Sequence, residues 1–163
     1  MVAFWVEDIK ALTQKLFLGS DFDQFLVKEA QVVTFNRFTI DGHVRSGFYS
    51  EEERGLLQLE EFSSWKTLRP ICFSLIKGKR LPESFRIDLM ASGVQADAFF
   101  QEGQLDREQV RGLYLQIRYE DGKLVCITGT SLAVFTLDKT FESAWDEYVE
   151  SFLKEREIAV TRK

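Results

Sequence analysis

The sequence has few of the side chains that usually carry metal, redox or acid–base chemistry: one histidine and two cysteines among 163 residues. Cys72 and Cys126 are far apart and lie within apolar stretches. That placement favours two reduced core thiols in a cytosolic protein over a disulfide framework. No histidine or cysteine stands at the spacing of a zinc site. The sequence therefore predicts no metal site, and it identifies no cofactor.

The common catalytic motifs are also absent. The chain has no Walker-type phosphate loop, no Gly-x-Gly-x-x-Gly, no Gly-x-Ser-x-Gly elbow and no His-Glu-x-x-His. Each of these motifs supplies the backbone shape or side-chain pair that its chemistry needs. Their absence argues against the common nucleotide-binding proteins, serine hydrolases and zinc proteases.

Long hydrophobic runs are missing as well, and no apolar stretch approaches the ~20 residues that a membrane-spanning helix needs. Residues 1–6 are apolar but lack a basic lead, and Glu7 and Asp8 follow them directly, which suits a first strand better than a signal peptide. A net charge of -5 and a pI near 5.1 repel polyanions. We therefore expect a cytoplasmic protein that binds neither membranes nor nucleic acid.

The sequence does contain enough apolar mass for a core. Hydrophobic residues make up 45% of the chain and charged residues 29%, with fifteen phenylalanines. A chain of this length hides roughly 70% of its unfolded surface when it folds. We predict a single domain over residues 1–163 with a phenylalanine-rich core.

Apolar residues at spacings of three and four predict the helices. The first ends before Gly19, the third extends from a Ser92 cap to Gly103, and the last covers residues 141–153. The second covers residues 62–76, and Pro70 predicts either a kink there or a true start at that proline. Residues 50–61 are acidic and indicate a solvated connector or a short helix.

Alternating apolar residues predict strands at 85–89 and 113–119. The return strand of a hairpin is predicted at 124–128, and the apolar residues 132–137 predict a third strand that continues the meander after Gly129. Asp121 and Gly122 favour a tight turn between the middle two, which places Ile117 opposite Cys126. With the helices between them, these strands predict an α+β fold. Its sheet is mainly antiparallel with a C-terminal β-meander, and about four helices cover one face.

A second tight turn is predicted at Asp41 and Gly42, with Ile40 opposite His43. The apolar alternation before it changes parity around Asn36. Because a one-residue slip moves side chains to the other face of a strand, the change predicts a bulge or bend near Asn36.

The only histidine, His43, is the first catalytic candidate. Asp41 stands two residues earlier and is placed to orient an imidazole that acts as a general base, since histidine titrates near neutrality. The alternative is a surface histidine at the mouth of a hairpin. No nucleophile stands at a matching distance in the sequence, so we prefer the surface interpretation.

The densest basic stretch is the stronger site candidate. Lys77, Lys79, Arg80 and Arg86 follow a helix, and Arg45 is a further candidate anion clamp. Together they predict an anion-binding site for a phosphate, a nucleotide or an acidic partner. The alternative to an anion-binding site is that these cations are the usual positive charges at a helix C-terminus and on the solvent-exposed face of a strand.

Residues 34–42 (TFNRFTIDG) and 69–79 (RPICFSLIKGK) resemble segments of a small bacterial family of proteins that share a domain of unknown function. The similarity extends over most of the chain. The resemblance implies a cytosolic bacterial protein of this size. It carries no established activity, cofactor or catalytic residue.

From these observations we predict a non-catalytic binding or protein-interaction module. Its ligand is a protein or a small anionic molecule held near the basic stretch. The alternative is an enzyme of unrecognised type that acts on a phosphorylated or carboxylated substrate. A third hypothesis is a homodimer whose sheet edge or apolar patch forms the interface.

Overall fold

A computed structural model describes residues 1–163. It contains one sheet of seven strands, and every neighbouring pair is antiparallel. The strands are β1 (Ala3–Val6), β2 (Leu26–Val33), β3 (Arg37–Asp41), β4 (Ser84–Met90), β5 (Val110–Glu120), β6 (Lys123–Leu132) and β7 (Val160–Arg162). Their order across the sheet is β3-β2-β4-β5-β6-β1-β7, so β3 and β7 form its two edges.

Five α-helices accompany the sheet, which confirms the predicted α+β class. They are α1 (Ile9–Phe17), α2 (Glu51–Leu57), α3 (Trp65–Ile76), α4 (Gly93–Gly103) and α5 (Thr140–Glu155). Short 3₁₀ turns occur at Ser46–Phe48 and Arg107–Gln109. None of the helices has the length and apolar character that crossing a bilayer requires.

The sheet has one buried and one open face. In β4, Phe85, Ile87 and Leu89 are buried, whereas Arg86 and Asp88 between them lie on the other face. Such alternation with a period of two is expected when one side of a sheet meets the core and the other meets water. The helices α3 and α5 contact the buried side through β2 and β6.

The core contains 29 buried residues in one cluster. The predicted phenylalanine-rich core is confirmed by the buried rings of Phe4, Phe17, Phe22, Phe25, Phe85, Phe99, Phe100, Phe141 and Phe152. Trp65 and Trp145 are also fully buried, and each indole N–H donates to a backbone carbonyl. These hydrogen bonds let the large rings enter the core without an unpaired donor.

The predicted hairpin between β5 and β6 is confirmed. Ile117 pairs with Cys126, and both turn residues, Asp121 and Gly122, have positive φ angles. The strand predicted at 132–137 is wrong, because β6 ends at Leu132 and the following residues form no strand. The strands β4, β5 and β6 lie side by side in the sheet, and α4 connects β4 to β5.

The hairpin predicted at Asp41 and Gly42 is also wrong. The strands β2 and β3 form a hairpin whose tip lies at residues 34–36, where the Thr34 amide donates to the Asn36 carbonyl. The parity change near Asn36 is therefore a chain reversal. Of the two predicted alternatives, the bend is present and the bulge is not. Gly42 instead continues β3 alongside β2, and its amide donates to the Lys28 carbonyl at 2.9 Å.

The helix α3 begins at Trp65, so the predicted alternative start at Pro70 is wrong. The Ser64 hydroxyl accepts from the Thr67 amide at this N-terminus. Arg69, one residue before the proline, donates twice to the Asp23 carboxylate at 2.9 and 3.1 Å. This two-point ion pair and the buried Trp65 tie the helix to the chain around β2.

Candidate functional site

The predicted basic stretch forms one wall of a groove, which we call the basic groove. It is lined by the end of α3 and the following loop (residues 75–81), by Glu83, and by Thr34 and Phe35 at the β2–β3 hairpin tip. Its volume is about 460 Å³. Gly78 lies in this loop at a φ of +141°, a conformation that residues with a Cβ rarely adopt. The glycine thus lets the chain leave the helix and expose the cations.

Three cations lie together in the basic groove. Lys77, Lys79 and Arg80 are exposed, and none of them forms an ion pair. Glu83 is the one acidic residue in the lining. Unpaired cations at close quarters create a local positive field, even in a chain whose net charge is -5. The groove is therefore suited to a negatively charged ligand.

Apolar and polar groups accompany these cations. The side chains of Phe35 and Leu81 are 84% and 83% exposed, which is unusual for residues of this size. The hydroxyl oxygen of Thr34 is buried and has no hydrogen-bond partner. Buried polar atoms normally have a partner, so this atom marks an unsatisfied position beside the groove.

The structure does not bring Arg86 to the basic groove. Its side chain lies on the open face of the sheet, where it pairs with Glu29 of the neighbouring strand. Its Nε lies 3.3 Å from the Asp88 carboxylate, which also accepts from Gln116 at 2.8 Å. The positive charge of Arg86 is thus neutralised by two acids.

Arg45 also lies away from the basic groove, beyond the other end of β3. It donates to the Asp41 carboxylate at 2.7 Å and to Nδ1 of His43 at 3.3 Å. The hairpin tip and Asp41 are separated by the length of β3, roughly 3.3 Å per residue. Arg45 and the loop cations therefore do not form one site.

The pair His43 and Asp41 lacks the geometry of an oriented general base. The Asp41 carboxylate accepts from the backbone amide of His43 at 2.9 Å, not from its imidazole. That hydrogen bond and the nearby Arg45 lower the pKa of Asp41 below its usual value. The imidazole contacts Phe62 edge-on and lies 4.0 Å from Glu61. None of the five main surface grooves has His43, Asp41 or Arg45 in its lining, so these residues are not gathered around any of those grooves.

Comparison with known protein families identifies the family of this chain. The model of a family of unknown function (DUF5721) matches residues 15–161. The chain belongs to the DUF5721 family. No curated protein and no solved structure matches it. The DUF5721 match spans both the basic groove and His43, and it assigns a role to neither.

A second groove in this DUF5721 protein lies between α4 and α5, with a volume of about 450 Å³. Sequence reasoning did not identify it. Its lining includes Tyr148, whose pKa is raised by burial and by the nearby Glu102 charge. Its only cation, Arg156, already donates to the backbone carbonyls of Asp21 and Phe152. The cations of the basic groove are free, so we consider that groove the stronger binding site.

No three His, Cys, Asp or Glu side chains lie close enough together to hold a metal ion. The acidic run at 51–53 forms the first turn of α2, where Ser50 and Glu53 cap each other reciprocally. Carboxylates are favourable at a helix N-terminus. Their local role is thus to stabilise a short helix.

The two cysteines are buried thiols. Burial raises the pKa of Cys72 to about 11 and that of Cys126 to about 12. A thiolate is the reactive form of cysteine, so both side chains are unreactive at neutral pH. Because the folded pKa values lie above those of the unfolded chain, the stability that they contribute is present below about pH 8.5. It is lost as the pH rises towards 11 and 12.

We therefore expect iodoacetamide at pH 8 to modify the native protein only as it unfolds. The measurement is the rate of alkylation by mass spectrometry, with and without denaturant. A Cys126→Ala variant reports on Cys72 alone, and the denatured protein gives the rate of a free thiol. Modification of either native thiol at that free rate would contradict the burial of both side chains.

Proposed function

We propose that the protein is a non-catalytic binding module whose basic groove receives an acidic segment of a partner protein. The observation that carries the proposal is the cluster of three unpaired cations, Lys77, Lys79 and Arg80, in an acidic chain. Complementary charge speeds encounter and excludes partners of the same sign. An acidic segment is thus favoured over a neutral or basic one.

The apolar lining favours a protein segment over a small anion. Phe35 and Leu81 line the groove together with the cations and leave most of their surface in water. Covering such side chains contributes roughly 25 cal/mol per Å² of apolar area removed from water. A phosphate ion covers neither residue, whereas a peptide with acidic and apolar side chains covers both.

The alternative is an enzyme that acts on a small anionic substrate. It needs a base and an anion clamp at one place. His43 and Arg45 lie together, but the Arg45 guanidinium already forms an ion pair with Asp41 and is not free to clamp an anion. The unpaired cations lie at the other end of the β2–β3 hairpin, beside Phe35. This separation supports binding over turnover.

The test is fluorescence anisotropy with a labelled twelve-residue peptide of glutamate, leucine and phenylalanine. We expect binding that weakens with added salt, because exposed charges are screened. The double variant Lys79→Glu with Arg80→Glu is expected to weaken binding about tenfold or more, since 1.4 kcal/mol corresponds to a factor of ten. Phe35→Ser is expected to weaken it without changing the salt dependence.

The matched control is Lys10→Glu with Arg111→Glu, which changes the net charge by the same amount at exposed cations outside the groove. A second control is the same peptide with glutamine in place of glutamate. Equal weakening by the two double variants would reject the groove as the binding site. Competition by inorganic phosphate, with Phe35→Ser without effect, would reject a protein segment in favour of a small anion.

A further inference from the structure

The edge strand β3 has a free side. It pairs with β2 alone, and no other strand lies beyond it. The Gly42 amide donates to the Lys28 carbonyl, and the Asn36 carbonyl accepts from the Thr34 amide. The backbone groups of the even-numbered residues of this segment therefore point towards β2. In an antiparallel pair the bonded positions alternate along the strand. The backbone groups of Arg37, Thr39 and Asp41 therefore point away from the sheet.

No backbone hydrogen bond closes the outward edge of β3. None of the backbone hydrogen bonds made by turns and loops involves Arg37, Thr39 or Asp41. The strand contains no proline and no lysine, and its pairing with β2 is regular from Arg37 to Asp41. Natural proteins usually block an edge strand with such residues or with a bulge. An open, regular edge accepts another strand.

The sequence of β3 is complementary to itself when two copies run antiparallel with Thr39 at the centre. Arg37 then faces Asp41 of the second copy at both ends of the pair. Phe38 faces Ile40 of the second copy on the opposite face. Opposite charges and apolar side chains directly across an antiparallel pair stabilise it.

The two faces of the sheet agree with this pairing. Phe38 and Ile40 pair with Val32 and Ala30 of β2, which are buried, so they extend the core side of the sheet. Both remain only half-buried. Arg37 lies on the open face and forms no ion pair within its own chain. A second copy supplies the missing apolar cover. Its Asp41 carboxylate accepts from Arg45 and from the His43 amide, and each of its two oxygens keeps a further acceptor position for the Arg37 guanidinium.

We infer that two copies of this chain associate through β3 about a two-fold axis at Thr39. The two seven-stranded sheets then form one continuous sheet. Each outward-facing residue exchanges backbone hydrogen bonds with the facing residue of the second copy. A two-fold axis uses the same surface on both copies and closes the assembly at two.

The test begins with sedimentation velocity from micromolar to submillimolar concentration, where we expect a reversible monomer–dimer equilibrium. Thr39→Pro removes the central outward amide, at a position where an edge strand tolerates proline. Arg37→Asp and Asp41→Arg each place like charges across both ends of the pair. We expect each of the three variants to weaken association about tenfold or more.

The decisive step is to mix the Arg37→Asp and Asp41→Arg variants in equal amounts. Across the pair, the mixture again has opposite charges at both ends, so we expect association to return to within a few fold of the unmodified protein. Arg118→Asp is the control, because it changes an exposed, unpaired arginine on β5, away from the edge. A chain that stays monomeric throughout, or a mixture that associates no better than its components, would overturn the inference.

Discussion

Gly42→Ala is expected to destabilise the protein by about 3 kcal/mol or more. A Cβ added to this residue would lie 1.8 Å from the Val27 carbonyl oxygen and 2.7 Å from its carbon. Both atoms belong to the backbone of β2, so β2 and the chain after β3 must separate to make room. The measurement is the free energy of unfolding in urea.

Two further variants show why this glycine is needed. Gly42→Asn adds a side chain that tolerates the positive φ angles of a tight turn, so a turn at this position would accept it at little cost. Close contact with Val27 predicts a loss at least as large as that of Gly42→Ala. Gly55→Ala, in the open helix α2, is the control, and we expect it to stabilise the protein by up to about 1 kcal/mol. Unchanged stability in both Gly42 variants would contradict the observed pairing.

Trp65→Ala is expected to lower the free energy of unfolding by about 3 to 5 kcal/mol. The side chain is fully buried, and it packs edge-on against Phe17 with the ring centroids 5.7 Å apart. Its indole N–H donates to the Leu16 carbonyl at 2.7 Å. Leu16 is in the last turn of α1, where carbonyls lack partners within the helix. The residue therefore joins α1 to the start of α3.

Trp65→Phe separates packing from the hydrogen bond. It keeps an aromatic ring but leaves the Leu16 carbonyl without its donor, so we expect a loss of about 1 to 3 kcal/mol. Trp5→Ala is the control, because Trp5 is only half-buried. We expect its loss to be clearly smaller than that of Trp65→Ala. Equal losses for the two alanine variants, measured by urea unfolding, would contradict the placement of Trp65 in the core.

The pairs Asp121–Gly122 and Asp41–Gly42 show where sequence reasoning succeeds and where it fails. The first is a tight turn because two long alternating strands flank it, and local pattern and tertiary pairing agree. The second pair consists of the same two residue types, but it is not a turn. Gly42 lies against the Val27 carbonyl, and only a residue without a Cβ fits there. The contact joins residues from two strands, and no local pattern reveals it.

The segment that follows β6 illustrates a second limit. Residues 132–137 are rich in apolar and β-branched residues, which predicts a strand. The chain instead crosses towards α5 there, and Phe135 is left 91% exposed. A strand needs a neighbour to pair with, and the sequence does not state whether one is available.

The basic groove was only half predictable. Lys77, Lys79 and Arg80 are neighbours in the chain, so their common location follows from the sequence. Phe35 and Thr34 reach the same groove because the β2–β3 hairpin places its tip beside the end of α3. That arrangement depends on the strand order, which the sequence left open. The pairing of Arg86 with Glu29 could not be predicted for the same reason, since Glu29 lies on the neighbouring strand β2.

The basic groove as the binding surface is tested most directly by NMR chemical-shift mapping. The ¹⁵N-labelled protein is titrated with the peptide of glutamate, leucine and phenylalanine, and the amide shifts are followed. We predict that the largest changes fall on residues 34–35 and 76–81, and that Lys79→Glu with Arg80→Glu removes them. Shift changes centred on His43 or on the groove between α4 and α5, with residues 76–81 unchanged, would contradict the basic groove as the binding surface.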